Sequence, residues 1–297
     1  MRLATVLLSL VILLSSGCVD AALKGQNSLT DMSVSKLFPG DRQAQQLALA
    51  ASEGDLEYID KLLAQGADPN AAGRSGITVP CWVLYHPNKE GFRRLLEHGA
   101  DPNIIWEGRK GYSDELSLIH VAAWQSPIIG TDYLEMIFEI GRGNPNLVVQ
   151  NYRTQPLLWA TRPSQADAFA VLYCYGADIH FKDGGGYTFL YRASLENYEL
   201  AYFLLQDGAD YEEITKHGIG IKNHIMSEAR ENRVEAVSGN KNAPQYYWFW
   251  RCVDFLEKRG MEFDIPASVE KFRPATLPTT PTDYEIEIEK WKKKHAN

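Results

Sequence analysis

Four cysteines in 297 residues, at positions 18, 81, 174 and 252, are too few and too scattered for a disulfide framework. The chain has no Cys-x-x-Cys pair, no His-Glu-x-x-His, no Gly-x-Ser-x-Gly and no phosphate loop, so the common metal, serine-nucleophile and nucleotide chemistries have no motif to rest on. The apolar run over residues 3–14 falls short of the ~20 residues that a membrane-spanning helix needs. Basic residues do not dominate either: 30 Lys and Arg face 38 Asp and Glu, a net charge of -8. A surface of that sign repels nucleic-acid phosphates, and the short lysine run at 292–294 does not reverse it.

What the sequence does have is a recurring string. Gly66-Ala67-Asp68-Pro69-Asn70 returns as Gly99-Ala100-Asp101-Pro102-Asn103, then as Gly176-Ala177-Asp178 and Gly208-Ala209-Asp210. Each copy closes an apolar helical run, such as Tyr58-Ile59-Asp60-Lys61-Leu62-Leu63. Glycine after a helix takes the left-handed conformation that stops it, and Asp or Asn side chains then satisfy backbone donors in the turn. Upstream of the copies lie helices with small residues, Leu47, Ala50 and Ala51 before Gly54, or Leu118, Ala122 and Ala123. A repeat of this kind predicts stacked helix pairs, an architecture that offers an extended binding surface.

These residues resemble the ankyrin repeat. The first unit, 43–74, carries Leu47, Ala50, Ala51, Gly54, Ile59, Leu62, Leu63, Gly66, Ala67 and Asp68 in that family's spacing. The second opens at Gly76 and Thr78 and departs at Pro80 and Cys81, with 82–86 replacing the alanine helix. The third, 112–146, has Ser117-Leu118-Ile119-His120 in the Thr-Pro-Leu-His place, about three extra residues before Gly141, and a decayed string Gly141-Arg142-Gly143-Asn144-Pro145-Asn146. Units at 150–182 and 184–212 follow, and a degenerate sixth spans 218–264 with a polar break at 238–242. The resemblance implies an all-α solenoid of about five to six helix-turn-helix units over 41–264, joined by short hairpin connections and without enzymatic activity. It also implies a structural role for His120, and in register Gly184-Gly185-Gly186 is a hairpin connection.

The ends of the chain set a second expectation. Arg2, the apolar stretch and Ser15-Ser16-Gly17 before Cys18 resemble a bacterial lipoprotein signal, although Ser15 stands where that signal usually has leucine. The resemblance implies removal of 1–17, lipidation of Cys18 and a flexible tether over 18–40. Val19 after the cysteine then favours the periplasmic face of the outer membrane. Loss of Arg2 takes the charge from -8 to about -9. Ordinary secretion, with cleavage near Ala21 or Ala22 and a soluble periplasmic product, is the alternative. At the other end, 265–297 reads as a proline-containing linker and a charged tail, which from about Asp283 either folds as a short helix on the last repeat or frays.

For binding, the ankyrin register places Tyr85, His86, Trp124, Gln125, Arg162, Leu195 and Glu196 on the exposed side of the first helices. It places Arg74, Trp106, Arg109, Tyr112, Asn151, Arg153, Lys182, Asp183 and Tyr187 at the tips. Tyr, Trp and Arg are the residues that most often dominate interface energy. Trp82, Trp159 and Trp124 can equally fill gaps where alanines are missing, and the connection 104–112 is longer than a repeat needs. Cys81, Cys174 and Cys252 read as small buried residues, with one disulfide left open. A lipid-anchored ankyrin stack is similar to the immunity lipoproteins encoded beside type VI secretion phospholipase effectors. That likeness implies a monomer that occludes a lipase, needs no cofactor or metal, and meets the membrane only through its N-terminal lipid. The alternatives are a periplasmic scaffold or envelope-stress lipoprotein, and a hydrolase site around His224, Glu228 and Glu231.

Overall fold

The computed structural model describes residues 32–106, 115–150, 153–231 and 240–296. The chain divides into two compact units, Met1–Asn144 with Val149–Asn151 and Pro145–Val148 with Tyr152–Asn297. The first holds three helix pairs: α1 (Arg42–Glu53) and α2 (Leu56–Ala64), α3 (Val79–Tyr85) and α4 (Lys89–Glu97), α5 (Leu118–Ile129) and α6 (Asp132–Glu139). In the second, 3₁₀ turns at Pro156–Ala160 and Pro163–Gln165 precede α7 (Ala166–Cys174). After them come α8 (Phe189–Ser194) with α9 (Tyr198–Gln206), α10 (Ile221–Glu231) with α11 (Tyr246–Glu257), and a terminal α12 (Asp283–Lys294). Extended pairing among the described residues is limited to isolated bridges, Ala72 with Thr78, Trp106 with Leu116 and Lys182 with Thr188, each closing a connection between pairs. The fold is the all-α ankyrin-repeat fold.

Local chemistry explains each pair. Asp41 caps α1 by accepting the Ala44 N–H at 2.9 Å, the face Ala44, Leu47, Ala48, Ala50 and Ala51 is buried, and Gly54 stops the helix at φ +77°. Small residues allow close approach: a Cβ on Gly91, in the first turn of α4, would lie 1.9 Å from the Ala51 carbonyl oxygen. Leu47, Ile59, Val79, Phe92, Leu95, Ile119, Leu134 and Ile137 then fill the core of the first unit. Each such side chain contributes ~1.5–3 kcal/mol by leaving water.

The recurring string works as the sequence predicts and does one thing more. Gly66, Gly99, Gly176 and Gly208 sit at φ +91°, +89°, +86° and +93°. The following alanine N–H closes the helix end in each case, Ala67 on Leu62 O, Ala100 on Leu95 O, Ala177 on Leu172 O at 3.0 Å and Ala209 on Leu204 O at 2.9 Å. Asp68 and Asp101 accept the N–H groups of Asn70 and Asn103 at 2.8 and 2.9 Å. The asparagines reach into the next repeat. Asn70 donates to Gly99 O at 3.0 Å and accepts from Asp101 N at 2.7 Å, while Asn103 donates to Arg142 O at 3.3 Å and accepts from Asn144 N at 2.7 Å. In the second unit Asn146 bridges Gly176 O and Asp178 N at 2.8 and 2.7 Å.

Where the string decays, backbone geometry is kept with different residues. Arg142 takes the glycine's place at φ +56°. Gly143 takes the alanine's, because a Cβ there would lie 2.6 Å from Ile137 Cγ2.

The tail does not fray, and it does not lie on the last repeat. Thr282 and Glu285 form a reciprocal capping box at the start of α12. The helix packs on α7 and, less extensively, on α9, which places it on the fourth and fifth repeats. The reason lies in α7, whose residues 168–172 are all buried; a helix apolar all round needs a cover on every side. Tyr284 supplies it, edge-on to Phe169 at 5.0 Å, with its hydroxyl accepting from Asn197 Nδ2 at 2.6 Å and donating to Arg162 O at 3.4 Å. The linker is pinned on the way by Arg273, bidentate to Glu257 at 2.7 and 3.0 Å, and by Arg251, which donates to Thr280 O at 2.7 Å.

Candidate protein-binding surface

The tips are built by side chains that satisfy the turn's own backbone. In the fifth repeat the buried Asp183 carboxylate accepts the N–H groups of Gly185 and Tyr187 at 2.8 and 3.1 Å and the Arg192 Nε at 2.6 Å. The Arg192 guanidinium lies over the Tyr187 ring at 4.6 Å. The triple glycine is thus the turn around Asp183, as the register predicts. In the sixth repeat Thr215 Oγ1 accepts from His217 N and Ile219 N at 3.3 and 3.1 Å, leaving Lys216 and His217 exposed at the tip. Arg74 is exposed at the first tip, beside Ser75 at φ +57°.

In the first unit, Tyr85, His86 and Trp124 are half-buried on the first-helix row. The Trp82 indole stacks on His86 at 3.9 Å, points Nε1 at Ser52 Oγ 3.4 Å away, and is 4% exposed, so it fills the gap left by missing alanines. Besides Asp183, expected at a tip for binding but 8% exposed with its carboxylate turned onto its own turn and Arg192, two expectations need correction. Gln125 is only 5% exposed, because α5 continues to Ile129 and makes it a mid-helix, inward-facing position. Trp106 is 6% exposed, since it pairs its backbone with Leu116 at the base of the long connection rather than standing at its tip. Cys18, Arg109, Tyr112 and Asn151 lie outside the described residues.

In the second unit, Arg153 is exposed at φ +46°. Arg162 is half-buried where 3₁₀ turns replace a first helix, and its N–H faces Gln165 Oε1 at 3.4 Å. Lys182 is exposed and ion-paired with Glu213, Tyr187 and Leu195 are half-buried, and Glu196 is exposed.

Sequence reasoning missed the apolar groups on the surface. Ile128 is 79% exposed and Ile214 57% exposed, with Leu49 and Ile105 less so. The signal for Ile128 was present: α5 outruns α3 and α8 by a full turn, and that turn carries Pro127, Ile128 and Ile129.

Chemistry-bearing side chains elsewhere serve packing. His120 Nδ1 lies 2.8 Å from Ser117 Oγ at the buried start of α5. His224 Nε2 meets Ser194 O at 3.0 Å, its Nδ1 lies 3.9 Å from Glu228, and Tyr191 and Tyr198 flank the ring, so it ties α10 to α8. Cys81, Cys174 and Cys252 are free thiols, and burial pushes the thiols of Cys81 and Cys252 far up, away from the reactive thiolate. Among the described residues no helix is long and apolar enough to cross a membrane.

No family model matches the chain. Three mammalian proteins named cyclin-dependent kinase 4 inhibitor B are similar to part of it. The one from Rattus norvegicus is 36% identical over 86 residues, 26% of this chain and 65% of that protein; the one from Bos taurus is 35% identical over the same length and coverage. A palmitoyltransferase AKR1 of Lachancea kluyveri is 25% identical over 171 residues, 57% of this chain and 22% of that protein. The chain thus spans 65% of the length of the inhibitors it matches.

Proposed function

We propose that this ankyrin-repeat chain is a periplasmic immunity lipoprotein that binds a secreted phospholipase effector and neutralises it by occlusion, with no catalytic role of its own. The carrying observation is the pairing of two features: the lipoprotein-like segment ending at Cys18 and, within each unit, side chains of the kind by which stacked-repeat folds grip partners, Tyr85, His86, Trp124 and Ile128 in the first and, separately, Arg153 and Tyr187 in the second. The similar kinase inhibitors are by name proteins that restrain an enzyme, which supports inhibition as the mode. A lipid on Cys18 would raise the effective concentration of inhibitor at the bilayer that a phospholipase attacks.

Co-purification with the product of the adjacent gene tests the reading. A stable complex that abolishes lipid hydrolysis by that product is the expected result. A neighbour without a hydrolase motif, or no complex on mixing, overturns it and favours a scaffold, for which a deletion phenotype in cells lacking any toxin is the mark.

A further inference from the structure

The interface between α12 and the rest of the second unit is apolar along one side and acidic along the other. On the apolar side Tyr284 and Ile288 are buried, and Trp291 meets the Tyr175 ring edge-on at 5.3 Å. On the acidic side like charges face one another. Glu199 of α9 accepts the Asp283 N–H at 2.7 Å and has the Asp283 and Glu285 carboxylates as neighbours. Asp167 of α7 has Glu287 as its charged neighbour.

Cations meet this side from α11 and from α12 itself. Arg251 of α11 is the cation beside Glu199, yet it is engaged between the rings of Tyr202 and Trp248 at 4.1 and 4.4 Å and on Thr280 O. Lys290 is drawn to Glu287 at 2.7 Å and Lys292 to Glu289 at 3.1 Å, both on α12 itself.

We propose that α12 is a pH-sensitive strap, held most tightly on the fourth and fifth repeats in acid and loosened as the carboxylates along its seam ionise. Asp167 and Glu199 are half-buried; burial, the largest cause, together with the facing carboxylates raises both carboxyls above the ordinary range, outweighing the N–H groups of Ala168 and Asp283 and, beside Glu199, the Arg251 guanidinium, which favour the ionised forms. A carboxyl raised in the docked state holds its proton more tightly there than when the strap is free. Its contribution to docking is therefore complete below the ordinary carboxylate range and lost as the pH rises through the raised one.

The strap also touches the row of first helices. Tyr284 holds the Arg162 carbonyl, and Asn197, which donates to Tyr284, also donates to Thr161 O at 2.9 Å. If that row grips the partner, which rests on the reading proposed above, strap tension sets the position of Arg162. The strap itself needs no partner to be tested.

Hydrogen exchange on the full chain, corrected for the intrinsic pH dependence of amide exchange, measures it directly. From pH 5 to pH 8 the opening equilibrium of 284–291 should rise by about threefold or more, while that of α2 stays level. Asp167→Asn with Glu199→Gln should flatten this response and give α12 at pH 8 the protection it has at pH 5. Should circular dichroism show that double variant to be unfolded, Glu287→Gln on the strap itself should weaken the response. An equal change in α2, or a response retained in the variants, overturns the proposal, and neither result bears on whether a phospholipase binds.

Discussion

Two residues carry the repeat's deviations at a measurable cost. Arg142 sits in the left-handed region at φ +56°, a conformation that costs an ordinary residue ~1–2 kcal/mol and glycine almost nothing. Arg142→Gly should therefore raise the urea midpoint of the first unit by a stability gain of about 1 kcal/mol; an unchanged midpoint would show the strain to be absorbed elsewhere. The second residue is His180, which stands in the register of Asn70, Asn103 and Asn146 and has its N–H on Asp178 Oδ1 at 2.8 Å. His180→Asn should extend the asparagine bridges to Gly208 O and Asp210 N and add about 1 kcal/mol. Protection of the Asp210 amide from exchange is the direct readout, and no gain in protection means the rung has not formed. The His180 effect was not legible before the structure, because the bridges join residues some thirty positions apart and only the stacking brings them within reach.

At the scale of elements, α7 and α12 are one problem solved at two distant places in the sequence. An outward face of Ala and Phe on α7 is stable only under a cover, and Tyr284 is the side chain that provides it. Tyr284→Ala should cost roughly 3–5 kcal/mol, in the range of buried aromatic truncations. Tyr284→Phe should cost about 1 kcal/mol, the worth of its hydroxyl hydrogen bonds. Urea denaturation followed by circular dichroism distinguishes the two, and equal costs would mean that the polar contacts, not the ring, hold the strap. The helical run over 283–294 was readable from Thr282, Glu285 and the apolar spacing, but its destination was not: nothing local in the sequence names α7 as the surface it covers. The buried positions of Gln125 and Trp106 escaped for the same kind of reason, since one extra turn of helix and one backbone bridge decide which way those side chains face.

For the whole molecule, the proposed grip rests on exposed groups whose replacement leaves the core intact. Ile128→Asp and Arg153→Glu, both at exposed positions, should leave the thermal midpoint within a degree or two while weakening capture of the effector about tenfold or more, as loss of interface anchors does. Titration calorimetry of the purified pair measures this, and unchanged affinity in both variants would move the binding surface elsewhere. Cys18→Ser should in the same way shift the chain from the membrane to the soluble periplasmic fraction without altering that affinity, since one covalent lipid is the proposed attachment.

By itself the sequence determined the repeat. The glycine, the aspartate and the spacing of small and large apolar residues act within one turn of their own backbone, and such short-range chemistry is readable residue by residue. The same holds for the missing catalytic motifs and the tip around Asp183. Only the tertiary structure decided that asparagines bridge neighbouring repeats, that the tail returns to α7, that acidic side chains oppose one another along that seam, and which aromatic side chains remain at the surface. These depend on distances between segments far apart in the chain, and those distances are set when the helices stack and exclude water from their common faces.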